Sequence, residues 1–322
     1  MVERFVNLVI KNMESIQETK NNFRHFFMVP FTGLGLYNGY RGDKWLKNRI
    51  NIFNEYVLPS LINQTKKEFI VWICWRLEER QNEIVKEFMR MLEDIRGMRF
   101  VHTFGGIPFY DDKYDEDKAN YRLYRNLEAT LPELKDYVGD AEVVFMTIQP
   151  SDDMYFSRMA ETIQCAWPED KDAMGFQRGY IMNYATKELA EYNPTTTPPF
   201  ATIRFRAETF LDPRQHFQFT GPYKSHEFVK DHLREGFWED RGFVVGTHGV
   251  NISTVWKHHY KGREITGGER DYILWMTNSF FARPIAVKRT LGLVARSILN
   301  ALPFQNKLRE IYHKLPSRYK IF

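Results

Sequence analysis

The chain has 322 residues, 43% of them hydrophobic and 27% charged, which supplies a sizeable core and excludes a disordered or fibrous protein. A net charge of +4 is too balanced to demand a nucleic-acid partner, and two cysteines, Cys74 and Cys165, are too few for a disulfide framework or a thiolate metal site. The stretch MVERFVNLVIKNMES carries acids and lacks a small-residue cleavage site, and no apolar run approaches the ~18–20 residues that span a bilayer, so a cytoplasmic protein is expected.

HFFMVPF (25–31) predicts a buried first strand, and TGLGLYNGYRGDKW (32–45) a loop with four glycines. A glycine-rich loop after the first strand is where α/β proteins place ligands. Its spacing fits neither GxGxxG nor GxxxxGK, so neither a dinucleotide fingerprint nor a P-loop is supported. Trp45, Ile50, Phe53, Val57, Leu61 and Ile62 recur at helical spacing and predict an amphipathic helix over 45–63. FIVWICW (69–75) is a continuous apolar run, as expected of a parallel strand covered on both faces.

A helix over 78–95, a strand at RFVHTF (99–104), an acidic surface loop at YDDKYDEDKAN (110–120), a helix over 119–137 and a fourth strand at VVFMTI (143–148) follow. Strand alternating with helix across 25–150 predicts a Rossmann-like, doubly wound and mostly parallel sheet flanked by helices. Downstream, NPTTTPPFATIRF (193–205) reads as turn then strand, with SHEFVKDH (225–232) and GFVVGTHGVNIST (242–254) beyond it. This second half is expected to pack onto the same sheet, giving one domain over 1–280 with halves at about 25–155 and 156–280.

The fourth strand runs into QPSDDMY, which places Asp152 and Asp153 at the carboxyl edge of the sheet, where open α/β folds keep their ligands. Two successive carboxylates can hold Mn²⁺ or Mg²⁺, whose other positions go to water and diphosphate oxygens. The alternative is an N-cap at Ser151 with acids in the first turn of a helix over 152–165, worth about 1 kcal/mol and needing no ligand. His248, beside the run FVV, can ligate Mn²⁺ or bond a phosphate oxygen, or be structural.

LPSLINQTKKEFIVWICW (58–75), with its SLxxQT helix end before a buried strand, resembles the first helix-to-strand passage of family 2 glycosyltransferases. VVFMTIQPSDDMY is similar to the strand of those enzymes that ends in the DxD or DxDD metal motif. PPFATIRF, YKSHEFV and GTHGVNISTVW together resemble, more narrowly, the rhamnosyl transferase family of glycosyltransferase type A architecture. The resemblance spans roughly 25–260. It implies a type A fold and transfer of a sugar, with rhamnose the sugar of the narrower family, from a nucleotide-diphosphate donor to a glycan or lipid-linked acceptor.

Under it, Asp152 and Asp153 divide the ribose and the metal between them, and His248 joins the metal or the diphosphate. Pro150 stands where the first DxDD aspartate belongs, and Trp75-Arg76-Leu77-Glu78 where aspartates commonly follow the second strand, so base recognition is made differently. Glu227, or His226 beside it, is the candidate base for the acceptor hydroxyl; a capped helix with a first-turn glutamate is the alternative. Arg49, four residues after Trp45, is the candidate diphosphate contact, against an ordinary surface salt bridge. Phe31, Asn251 and Ser253 complete the candidate nucleotide-sugar contacts.

From Phe281 onward the only acid is Glu310, against nine lysines and arginines, and 284–302 puts Val287, Leu291, Val294 and Ile298 on one helical face. A basic amphipathic helix over the 281–322 tail can lie on an anionic membrane and bring the protein to a lipid-linked acceptor; core packing or a dimer contact explains the same stripe. The rival to an enzyme is a non-catalytic carbohydrate- or nucleotide-sugar-binding protein on the same scaffold.

Overall fold

Two hydrophobic runs build the centre of the molecule because a strand's side chains alternate between faces. In Ile70–Trp75 every residue is buried, but Val71, Ile73 and Trp75 enter one core and Ile70, Trp72 and Cys74 the other. Phe23–Val29 divides the same way, Phe27 and Val29 to the first core and Phe26 and Met28 to the second. A strand with two apolar faces must be sandwiched, and helices supply both covers. The computed structural model describes residues 22–33, 42–105, 116–194, 200–221, 229–249, 251, 254–257 and 261–277.

The first half runs β1 (Phe23–Val29), α1 (Asp43–Ile52), α2 (Leu58–Ile62), β2 (Ile70–Trp75), α3 (Glu83–Glu93), β3 (Phe100–Phe104), α4 (Glu116–Thr130), α5 (Lys135–Val138) and β4 (Val143–Ile148). There follow β5 (Met154–Tyr155), α6 (Met159–Cys165), β6 (Ala173–Phe176), β7 (Gly179–Asn183), β8 (Leu189–Tyr192) and β9 (Ala201–Arg206). Last come α7 (Ala207–Leu211), α8 (Pro213–Thr220), α9 (Val229–His232), β10 (Glu235–Trp238), β11 (Phe243–Thr247), β12 (Lys261–Ile265) and α10 (Gly267–Thr277).

Among the described residues the strands form two sheets. The larger has the order β10-β6-β9-β4-β1-β2-β3, with β3, β2, β1 and β4 parallel and β9 antiparallel between β4 and β6. The smaller has the order β12-β8-β7-β11-β5. The expected alternation and parallel core are present, and the fold is α/β with mixed sheets flanked by helices. The second half divides: β9, β6 and β10 extend the first sheet, whereas β5, β7, β8, β11 and β12 build a second one, whose Ile181, Ala190 and Val245 share a core with Phe27 and Val29 of the first. The proposed tail helix lies outside the described residues.

Between α1 and α2 the helix widens into a π turn, Phe53–Val57, in which the Leu58 N–H reaches back to the Phe53 carbonyl. Pro59 supplies a cause, since it has no N–H to give and its ring crowds the carbonyl four residues earlier, which a wide turn relieves. The turn buries Phe53, Tyr56 and Val57 together.

A buried polar chain crosses the larger sheet. His25 on β1 meets the Thr147 hydroxyl of β4 at 2.8 Å, which meets Thr202 of β9 at 2.8 Å; its other nitrogen meets Gln164 of α6 at 3.1 Å. Burial lowers His25 to about 3, and His102 and His216 to about 4. All three stay neutral in the folded chain while the unfolded chain takes up protons below its ordinary value near 6.5. Stability therefore falls as the pH drops from about 6.5 toward 4. In His216→Asn, whose amide can still donate to the Phe210 carbonyl, urea melts across that window should show a slope shallower by up to about 1.4 kcal/mol per pH unit.

Candidate functional site

After β4 the chain leaves the larger sheet and, within five residues, enters the smaller one at β5. Gln149, fully buried, anchors this crossing: its backbone N–H donates to the Met28 carbonyl at 2.8 Å and its side-chain amide to the carbonyls of Pro150 and Asp153 at 2.8 and 2.9 Å. The Tyr155 hydroxyl donates to the Ile148 carbonyl at 2.7 Å, and the Tyr184 hydroxyl to the Asp152 carbonyl at 2.6 Å. The crossing is thus stapled by side chains, and the expected alternative of a helix over 152–165 capped by Ser151 does not hold. The helix, α6, begins at Met159.

The two aspartates face different partners. Asp153 Oδ1 accepts the Gly246 N–H of β11 at 2.8 Å. Asp152 Oδ2 lies 2.5 Å from Arg49 Nη1 and 2.9 Å from His248 Nε2, with Asn251 Nδ2 at 3.4 Å. Arg49 comes from α1, its side chain 2% exposed and its guanidinium over the Trp45 ring at 5.2 Å. Asn251 is a brace, accepting the His248 N–H at 2.8 Å and donating to the Gly246 carbonyl at 2.6 Å. Asp152 Oδ1 has no hydrogen-bond partner among the described residues, and its side chain keeps 16% exposure.

The charge pattern follows from these contacts. Burial alone would raise the Asp152 carboxyl, but the Arg49 guanidinium and the His248 bond outweigh it and hold the group below the ordinary carboxylate value. Asp153 is pushed well above that value by burial and by the neighbouring Asp152 charge. A carboxylate accepts only, so His248 carries its proton on Nε2; its Nδ1 is a buried acceptor without a partner. Beneath the cluster the Tyr56 and Tyr184 rings stack at 3.5 Å, and burial raises the Tyr184 phenol well above its ordinary value, with both carboxylates adding to the rise.

Six of the nine predicted positions can be placed. Asp152, Asp153, His248, Asn251 and Arg49 converge, although Arg49 is committed to Asp152 and is not a surface residue. Phe31 does not join them, being fully buried among Phe53, Trp75 and Phe88. Glu227, His226 and Ser253 lie outside the described residues. The sequence reading missed Gln149, Tyr56, Tyr184 and Gly246. Only Gly246 carried a local signal, a glycine inside a strand run, which marks close approach of another group.

This donor set does not fit Mn²⁺ or Mg²⁺. Those ions want carboxylate and neutral oxygen ligands, yet Asp152 Oδ2 already meets a guanidinium, an imidazole N–H and an amide, and Asp153 Oδ1 meets a backbone N–H. Among the described residues no three His, Cys, Asp or Glu side chains converge as a metal would need.

No protein-family model matches the chain, and no curated protein matches it.

A Cβ on Gly246 would lie 2.3 Å from the Tyr184 ring and 2.4 Å from the Asp152 carbonyl. Gly246→Ala should therefore destabilise the fold by about 1–3 kcal/mol in urea titrations, by forcing the tyrosine off that carbonyl. Asp153→Asn should act oppositely. The folded chain holds a proton there that the unfolded chain sheds, so stability declines as the pH rises above the ordinary carboxylate range, and removing the carboxyl relieves this. The variant should be the more stable at neutral pH, with the advantage gone below about pH 4.

Proposed function

We propose that this chain is a glycosyltransferase of type A architecture that moves a sugar from a nucleotide-diphosphate donor to a glycan or lipid-linked acceptor. The observation that carries the reading is convergence. The segments that bear the family resemblance, the Trp45–Arg49 helix, the PSDD crossing and GTHGVN, are far apart in sequence, yet Arg49, Asp152, His248 and Asn251 meet within hydrogen-bond distance. They meet beyond the carboxyl end of β4, in a sheet whose first half has the order β3-β2-β1-β4 of a nucleotide-binding half.

In this reading Asp152 Oδ1 accepts a donor hydroxyl, as the ribose contact of the resemblance requires, while Oδ2 is pinned from behind. Transfer makes a bond from the acceptor oxygen to the anomeric carbon, breaks the bond to the diphosphate oxygen, and delivers the acceptor proton to a base, for which Glu227 and His226 are the candidates. The ends of β1 and β2 are closed by Thr32, Arg76 and Glu79. Thr32 donates to Glu79, and Arg76 gives its Nε–H to the Thr32 carbonyl at 3.0 Å and its backbone N–H to Glu79 at 3.1 Å. Burial raises the Glu79 carboxyl above its ordinary value.

A cytoplasmic location with the basic tail on a membrane belongs to the same proposal; no helix among the described residues is long and apolar enough to cross a bilayer. A sugar-nucleotide-binding protein without turnover is the second reading, favoured by Pro150 in place of the first aspartate.

Calorimetric titration with UDP-, GDP- and dTDP-linked sugars tests both. At least one donor should bind, and Asp152→Asn should weaken it by about tenfold or more, equivalent to about 1.4 kcal/mol. Release of free nucleoside diphosphate in the presence of glycan acceptors supports the enzyme, and binding without release supports the second reading. No binding across the panel sinks both.

A further inference from the structure

In the site proposed above the position a divalent cation would take is already filled by a positive charge belonging to the chain. Arg49 Nη1 stands 2.5 Å from Asp152 Oδ2, within a pair whose arginine is 2% exposed. A guanidinium does not give up its proton, so this charge is permanent. Mg²⁺ at its ordinary ligand distance of about 2.0–2.1 Å from the same oxygen would stand beside that fixed charge in a place poorly screened by water. The groups around that oxygen offer a cation little else. His248 presents a proton, not a lone pair, to the same oxygen, Asn251 Nδ2 presents another, and Asp153 Oδ1 is taken by the Gly246 N–H.

Arg49 is also held in place. It projects from α1 with Trp45 against its guanidinium, and the π turn below it packs Tyr56 on Tyr184, whose hydroxyl grips the Asp152 carbonyl. Both members of the pair thus lie next to one contact between the helical layer and the smaller sheet.

We propose that the site takes its nucleotide-diphosphate ligand without a divalent cation, with Arg49 as the built-in counter-ion that fixes Asp152 and leaves Oδ1 for a ligand hydroxyl. Arg49 is a positioning residue in this scheme, acting through Asp152. The inference rests on the nucleotide-sugar reading for its ligand, but its claim about the cation stands on the ion pair and is measured separately.

The test is a titration of the full chain with MnCl₂ followed by electron paramagnetic resonance, in which bound Mn²⁺ loses the free-ion signal, together with calorimetry of UDP, GDP and dTDP in excess EDTA and in excess MnCl₂. The wild-type chain should leave the Mn²⁺ signal at its free value. Arg49→Met should gain Mn²⁺ uptake, Asp152→Asn added to it should abolish that gain, and Arg49→Lys, which keeps the charge, should stay closed to the ion. Nucleotide affinity should agree within about twofold between EDTA and MnCl₂. Stoichiometric Mn²⁺ uptake by the wild type that Asp152→Asn removes overturns the inference, as does a folded Arg49→Met chain that takes up no Mn²⁺, or a nucleotide affinity that rises about tenfold or more with the ion. Where Arg49→Met fails to fold, the two wild-type measurements decide. A panel in which no nucleotide binds in either buffer sinks the nucleotide-sugar reading, whereas Mn²⁺ uptake by the wild type sinks the cation claim alone.

Discussion

A carboxylate taken out of water must be compensated where it stands, and the join between the two sheets is organised around doing so for Asp152. Its compensating groups come from α1 of the first half and from the segment after β11 in the second. Deleting either partner of such a pair is far costlier than the net stability the pair supplies, because the survivor is left charged and buried. The pair is therefore weak evidence of stabilisation. It is strong evidence of registration: the arginine, the histidine and the crossing after β4 have one arrangement in which the charges cancel.

The carboxylate next to it shows what happens without a cation in direct contact. Asp153 is buried beside a like-charged neighbour, and these outweigh the Gly246 N–H and the more distant pull of Arg49, so its carboxyl shifts toward the neutral form. Two adjacent acids thus serve different purposes because only one received a guanidinium. This asymmetry bears on the proposed sugar-nucleotide site, where Asp152 keeps a negative charge with one oxygen available and Asp153 ties the crossing to β11.

Much of the first half was legible in the sequence because its signals are local. A run such as IVWICW with no polar interruption has one sensible home, a strand covered on both faces, and the alternation with amphipathic helices fixes a parallel connection. The aspartates at the exit of β4 were legible for the same reason, since a strand end delivers its next residues to the sheet edge. The second sheet was not legible. β5 has two residues, and β7 and β8 are too short to establish a period, so their pairing is decided by tertiary contacts. The helix expected from Ser151 failed because Tyr155 and Tyr184 hold the carbonyls of the crossing in a non-helical path. Arg49 read as a diphosphate contact or a surface salt bridge because its partner, Asp152, lies in a distant segment, and Tyr56 and Tyr184 carried no local sign of their stacking.

The widened turn between α1 and α2 carries a geometric consequence for evolution of the chain. Each residue of a regular helix turns the axis by about 100°, so the π turn, holding one residue more than an ordinary turn, sets the angular phase between the segment bearing Trp45 and Arg49 and the segment bearing Leu58 and Leu61. Losing a single residue there would rotate one segment relative to the other, so that with the downstream half seated the upstream half swings away from the sheet junction. A one-residue gap there would thus separate sequences that can place an arginine against the crossing from those that cannot.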